Sequence, residues 1–230
     1  MATPEQLRKL SPYTSEQARQ ALDSLLLDGI TPNDYQKSMS LLGAILGDIV
    51  AQQIPTSAKC LVVSTAEDAD YLSHGVWNRL KTDHDTKAAV FWNNHYSLGH
   101  GVSVAPIVHK YLEPGYEKAN RLIIVKSVIS GSCVVRTNIL EVIEKVCVNE
   151  IFIVSPVMHI NSEKSLKNEF PEDISCKFKF IYFAIDSKRD NATGEVIPGI
   201  GGEIYQKLGL ISQPAKISFM PNLVKQLADI

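Results

Sequence analysis

The chain has little that would tie it to a membrane, a metal or an oxidising compartment. No apolar run approaches the length of a membrane span, and residues 1–10 are polar, without the apolar core of a secretory signal. A cytoplasmic protein with no membrane partner is the expectation. The four cysteines, Cys60, Cys133, Cys147 and Cys176, are scattered and form no CxxC pair. That argues against a disulfide framework or a cysteine zinc site and reads them as reduced thiols. His74, His84, His95 and His100 show no ligand spacing, so no metal site is expected from the residues themselves. A formal charge of −2 offers no electrostatic case for nucleic acid. No nucleophile-elbow motif is present on which a serine triad could be argued. There is no internal repeat, low-complexity segment or evident linker.

What is present is an ordinary globular composition, 45% hydrophobic and 21% charged, over 230 residues. Ser15 is a fitting N-cap for a helix whose stripe is Ala18, Leu22, Leu25 and Leu26, closed by Gly29 and Pro32. Thr31-Pro32-Asn33-Asp34 opens a second helix, with Met39, Leu42, Ile45, Leu46 and Ile49 on one face. From Cys60 the pattern changes to short apolar strands alternating with helices. Strands are predicted at 60–63, 88–92, 122–125, 151–155 and 178–185, and helices at 69–80, 134–146 and 162–170. Residues 99–104 read as a loop or short edge strand, and 106–120 as irregular. This order predicts an α/β fold with a central parallel sheet flanked by helices. Residues 1–55 are expected to be a helical N-terminal extension packed on a core of residues 56–230, with a small hood at about 186–210.

Parallel sheets bind ligands beyond the carboxyl ends of their strands. Four segments qualify: 64–68, 93–100, 126–134 and 186–202. The third is the most suggestive. A buried strand at Leu122–Val125 leads into the small residues Ser130-Gly131-Ser132-Cys133 and then a helix, an arrangement that aims backbone N–H groups at an anion. The fourth couples a charged stretch, Asp186 to Asp190, to the glycine-bearing turn Val196 to Gly202, where glycine allows positive φ and close backbone approach. Several residues have two readings. Lys126 is either a strand-end lysine reaching solvent or an anion ligand. Asp186 either caps residues 188–191 or touches ligand. His95 and His100, with Trp92 and Tyr96, line either a pocket mouth or a plain surface loop. Cys133 is either a reactive thiol at a helix N-terminus or a small core residue.

Two motifs in order, Ile124 to Val134 and Ala184-Ile185-Asp186 followed by Val196-Ile197-Pro198-Gly199-Ile200-Gly201, make residues from about Leu25 to Leu210 resemble the uracil phosphoribosyltransferases of the type I phosphoribosyltransferase fold. The resemblance implies the reaction of 5-phosphoribosyl-1-diphosphate (PRPP) with uracil to give UMP and pyrophosphate, a step of pyrimidine salvage. It implies magnesium as cofactor and a homodimer. On that reading Ser130, Gly131, Ser132, Cys133 and Val134, with Lys126, hold phosphate, and Ser64 and Thr65 meet pyrophosphate. Ile197, Gly199 and Asp186 read the base.

The departures from the family pattern are specific. Lys126 stands where the family has an aspartate for the ribose hydroxyls, and an ammonium cannot accept those hydrogen bonds. Gly202 replaces a further aspartate, with Glu203 one position late. Ser132-Cys133 replaces a glycine pair, and Ala66-Glu67-Asp68 replaces an arginine-bearing loop, with charge that would repel pyrophosphate. These changes argue against ordinary PRPP turnover. They leave two other readings: a non-catalytic nucleotide- or phosphate-binding regulator or partner subunit of the same fold, and a structural interaction module.

Overall fold

The computed structural model describes residues 7–99, 102–190 and 193–230. Its centre is a sheet in which five strands run parallel, in the order Phe178–Asp186 (β10), Glu150–His159 (β9), Arg121–Val125 (β7), Lys59–Thr65 (β2) and Asp85–Asn93 (β3). Antiparallel strands close both edges, Arg8–Leu10 (β1) beside β10 and Ile107–Leu112 (β6) beside β3. The short strand Val128–Ile129 (β8) continues the pairing with β9 beyond the end of β7. The expected parallel sheet flanked by helices is what forms.

The strands read as continuous branched apolar runs because both faces are covered. Successive side chains point to opposite faces, so each strand splits between two cores. Val62, Ile123, Val125, Phe152 and Val154 belong to one cluster, and Leu61, Val63, Leu122, Ile124 and Ile153 to the other. The first cluster is covered by Glu16–Leu25 (α1), Pro32–Ala51 (α2) and His74–Lys81 (α3). The second is covered by Cys133–Ile143 (α4), Ser162–Asn168 (α5) and, through Ile174, the single turn Glu172–Ser175 (α6). Both predicted N-caps form. The Ser15 hydroxyl accepts from Ala18 N at 3.1 Å and that of Thr31 from Asp34 N at 3.2 Å. A π-helical turn, Ala69–Ser73, precedes α3, with Ser73 N donating to Asp68 O at 2.9 Å. It lies tight against α2, where a Cβ on Gly43 would fall 2.1 Å from Leu72 O. Among the described residues, no helix is long and apolar enough to cross a membrane.

Three segments differ from expectation. The polar tail contains β1, which has no apolar run because one buried ion pair, rather than a hydrophobic stripe, anchors it. Residues 107–112 form an edge strand, not an irregular stretch. Its side chains are half-buried or exposed, so the sequence shows no alternation to read. A final helix, Asn222–Ala228 (α8), packs through Leu223 and Val224, and Leu223 N donates to Asp70 Oδ1 at 2.9 Å. Two more elements matter to the site. Tyr96–Gly99 (β4) and Val102–Val104 (β5) form a hairpin after β3, where 99–104 reads from sequence as a loop or short edge strand. The pocket-mouth reading of His100 lies outside the described residues.

The hood turn is held from two sides. Tyr35 on α2 donates to Ile200 O at 3.0 Å, and Gly201 comes so close to α1 that a Cβ there would meet Leu25 O at 2.3 Å. On the other side Arg8 grips Asp186 through Nε and Nη2, both at 2.8 Å, and Nη2 also donates to Gly199 O. Asp186 is fully buried, and its Oδ2 also accepts from Gly199 N at 2.8 Å. Removing one partner of a buried pair leaves the other charge uncompensated. Asp186→Ala is therefore expected to lower stability by about 3–5 kcal/mol. Urea unfolding should read this as a drop in midpoint, and a loss under about 1 kcal/mol would contradict the anchoring role.

Candidate functional site

A cleft of about 1030 Å³ opens at the carboxyl ends of β3, β7 and β9. One wall is the phosphate-loop segment: Ser130, Gly131, Ser132, Cys133 and Val134 all line it, as does Lys126. The opposite wall is the hood, through Val196, Ile200, Gly202, Glu203 and the short helix Ile204–Lys207 (α7) with Tyr205.

The small-residue loop feeds directly into α4. Ser132 is the N-cap but its side chain makes no cap bond, and Arg136 N donates to Ser132 O at 2.7 Å. The amides of Cys133, Val134 and Val135 precede Arg136 N, the first intrahelical donor, and all three residues line the cleft. The Arg189 guanidinium lies above the loop, its Nη1 3.9 Å from where a Cβ on Gly131 would stand. Arg136 also lines the cleft, paired with Glu169 at 3.0 Å, and Glu169 accepts from the Ser132 hydroxyl as well. Helix N-terminus, hydroxyl and guanidinium groups thus converge, and a carboxylate already sits among them. This combination suits a phosphate monoester.

Lys126 does not reach out to solvent as a strand-end lysine would. It is buried at the floor of the cleft, and its ammonium donates to Asp68 Oδ2 at 2.7 Å, Glu67 Oε1 at 3.3 Å and Ser127 Oγ at 3.3 Å. Asp68 Oδ2 accepts further from Thr65 Oγ1 at 2.9 Å and Ser127 N at 3.3 Å. Burial alone would lower the lysine's pKa, but Asp68 and Glu67 outweigh it and hold it above its ordinary value. Burial pushes the Glu67 carboxyl up, against the pull of Lys126. The acidic pair expected to repel pyrophosphate is therefore partly compensated by Lys126.

The other predicted residues are distributed as follows. Ser64 and Thr65 end β2 rather than forming a loop, are buried, and do not line the cleft, because pairing with β3 and β7 continues to the strand's end. Asp186, Ile197 and Gly199 lie outside the cleft wall. The N–H and C=O of Gly199 are taken by Asp186 and Arg8, so that backbone is not presented to a base edge, and Asp186 neither caps residues 188–191 nor meets the cleft. Cys133 is a quiet thiol: burial raises its pKa, and Sγ lies 3.3 Å from Ser103 O. Among the described residues no three His, Cys, Asp or Glu side chains group as a metal site. His95 lines the cleft with its pKa lowered by burial, Lys126 and Arg189. Its backbone is clamped by the Gln213 amide, at 3.2 and 3.0 Å.

Arg136, Glu169 and Asn93 line the cleft without having been singled out. The one usable signal was opposite charge just beyond two strand ends, Glu67-Asp68 after β2 and Lys126 after β7, which the parallel register sets side by side.

No protein-family model and no curated protein sequence matches the chain. Among solved structures, the AQ2163 protein from Aquifex aeolicus matches 86% of this chain and 97% of its own, with a TM-score of 0.68 at 13% identity. The two share a fold. Weaker similarities reach a hypoxanthine phosphoribosyltransferase from Staphylococcus aureus (TM-score 0.39, 15% identity, 61% and 71% of the two chains) and an adenine phosphoribosyltransferase from Thermoanaerobacter pseudethanolicus (TM-score 0.40, 10% identity, 63% and 80%).

The ion cluster gives a pH-dependent expectation. Lys126 contributes its stabilisation in full below its ordinary value of 10.5, and loses it only as pH rises above that value. Lys126→Met strands two buried carboxylates and should cost about 3–5 kcal/mol near neutral pH. The Glu67 carboxyl, already pushed up by burial, then loses the pull of Lys126 and rises further, so the folded variant binds more protons than its unfolded chain and regains stability on acidification toward 4.5. Urea unfolding at neutral and mildly acidic pH tests this; an equal deficit at both would contradict the pairing.

Proposed function

We infer that the chain is a phosphoribosyltransferase-like binding protein whose cleft holds a phosphorylated ligand, such as a nucleotide or sugar phosphate, without turning over PRPP. The observation that carries this reading is the Ser130–Val134 loop at the mouth of α4 with the Arg189 guanidinium over Gly131. Backbone N–H groups and a planar guanidinium recognise phosphate oxygens geometrically, which a general basic surface does not.

The chemistry of the floor argues against transfer. PRPP chemistry needs acceptors for the ribose hydroxyls and charge neutralisation at the departing pyrophosphate. At the end of β7 this chain offers an ammonium whose donors face Asp68, Glu67 and Ser127. Magnesium fits these residues poorly, because the carboxylates nearest the loop are already engaged with a cation at 2.7 and 3.3 Å. Uracil as the base is the finer form of the same reading. The hood turn that would read it is engaged with Arg8 and Asp186, so uracil specificity would have to come from elsewhere in the cleft.

A thermal-shift series with PRPP, UMP, UTP, GTP, ribose 5-phosphate and inorganic pyrophosphate tests the proposal. A true ligand at 100 times its dissociation constant should add about 2.7 kcal/mol of stability. Arg189→Ala should weaken that ligand by about ten- to a hundredfold, as expected for a lost charge-assisted hydrogen bond. Robust UMP formation from uracil and PRPP with magnesium would overturn the non-catalytic reading. No shift with any phosphorylated compound would favour an interaction module.

A further inference from the structure

We propose that the end of the cleft at the carboxyl terminus of β3 is a donor-reading subsite, where Asn93 takes an N–H group on the ring of the phosphorylated ligand. The proposal rests on the phosphate reading above and names the part of the ligand lying away from the phosphate.

Asn93 is the last residue of β3, lines the cleft and is only 6% exposed. Its amide orientation is fixed by its partners. Nδ2 donates to Ala105 O at 3.1 Å and to Asn138 Oδ1 at 2.9 Å. A backbone carbonyl can only accept, so the amide cannot turn over without opposing two acceptors. Oδ1 is thereby left as the unused acceptor of this side chain, buried just beneath the cleft surface that Asn93 lines and without a partner among the described residues. The next residue repeats the pattern: Asn94 Oδ1 is likewise buried and unpartnered. Buried acceptors of this kind are uncommon, and each lowers stability until a donor reaches it.

The surroundings set the chemistry of that donor. Ser103 lines the cleft here, and its carbonyl lies 3.3 Å from the Cys133 thiol, so it presents a further acceptor. His95, beside it, has its pKa lowered and presents a neutral imidazole. The subsite is therefore rich in acceptors and poor in charge. It repels a phosphate or carboxylate and suits a neutral N–H edge. Its placement fits one molecule spanning both ends. Asn93 and the Ser130–Val134 loop line the same cleft, so a single ligand can reach both. The Gln213 clamp on the His95 backbone holds this end in place.

Matched ligand pairs test the assignment. UMP carries a single ring N–H, which N3-methyl-UMP lacks; AMP carries an amino group, which purine ribonucleoside 5′-monophosphate lacks. Ribose 5-phosphate reports the phosphate end alone. Titration calorimetry with the full-length chain should show at least one donor-bearing nucleotide binding about tenfold tighter than its donorless partner. In Asn93→Ala that ratio should fall to about twofold or less. Asn138→Ala, which releases the Asn93 amide to rotate, should narrow the same ratio and supplies the test if Asn93→Ala does not fold. Equal binding within both pairs, or an undiminished ratio in the variants, overturns the subsite. So does ribose 5-phosphate binding as tightly as every nucleotide, which would place the recognition on sugar hydroxyls. Failure of every probe, ribose 5-phosphate included, overturns the phosphate reading beneath it.

Discussion

An ammonium buried between two strand ends fixes the geometry of the cleft. Lys126 stands where the chain leaves β7, and its partners stand where the chain leaves β2. Unpaired, any of the three charges would lower stability by several kcal/mol at this depth. Paired, they tie two crossover loops together at one point, with Asp68 also accepting from Thr65 and Ser127. The phosphate loop begins only four residues beyond Lys126, so its starting position is set by that tie. Two oddities of the sequence, a lysine after one strand and an acidic pair after another, are the two halves of a single buried ion cluster.

A floor whose charges are tied to one another changes what the cleft can recognise. Free carboxylates there would favour hydroxyls and cations, and a free lysine would favour a second phosphate. A mutually satisfied cluster favours neither strongly, which moves selectivity to the rim. At one rim Arg189 and the α4 amides present donors. At the other lie Asn93 and Ser103. The hood contributes shape more than hydrogen bonds, since the backbone of Gly199 is directed inward to Asp186 and Arg8.

How much of this was legible follows from the range of each interaction. The strands at 60–63 and 122–125 and the caps at Ser15 and Thr31 are local signals, set by patterning or by a side chain reaching three residues ahead. The loop at 130–133 was equally local in its shape, small residues between a buried strand and a helix. The strand at Arg8–Leu10 was not legible, because its anchor is an aspartate 178 residues away. Nor was the strand at 107–112, whose exposed edge needs no apolar alternation. The fate of Lys126 depended on a contact spanning 58 residues, and that of Asp186 on an arginine in a tail with no pattern at all. The glycine turn reads from sequence as a close approach of backbone to a ligand, whereas the approach at Gly201 is to α1.

The anion end holds one more constraint, which separates the two arginines. Glu169 already accepts from the Ser132 hydroxyl and pairs with Arg136. A phosphate drawn to Arg136 must replace a carboxylate, so only the difference between two anions contributes to binding. Arg136 and Glu169 are also substantially exposed, where ion pairs add little. The Arg189 Nε donates to Gly194 O, a neutral carbonyl, and its Nη1 lies over Gly131 with no such exchange to make. The two arginines at the mouth of α4 therefore differ in their partners, a carboxylate for Arg136 and a neutral carbonyl for Arg189.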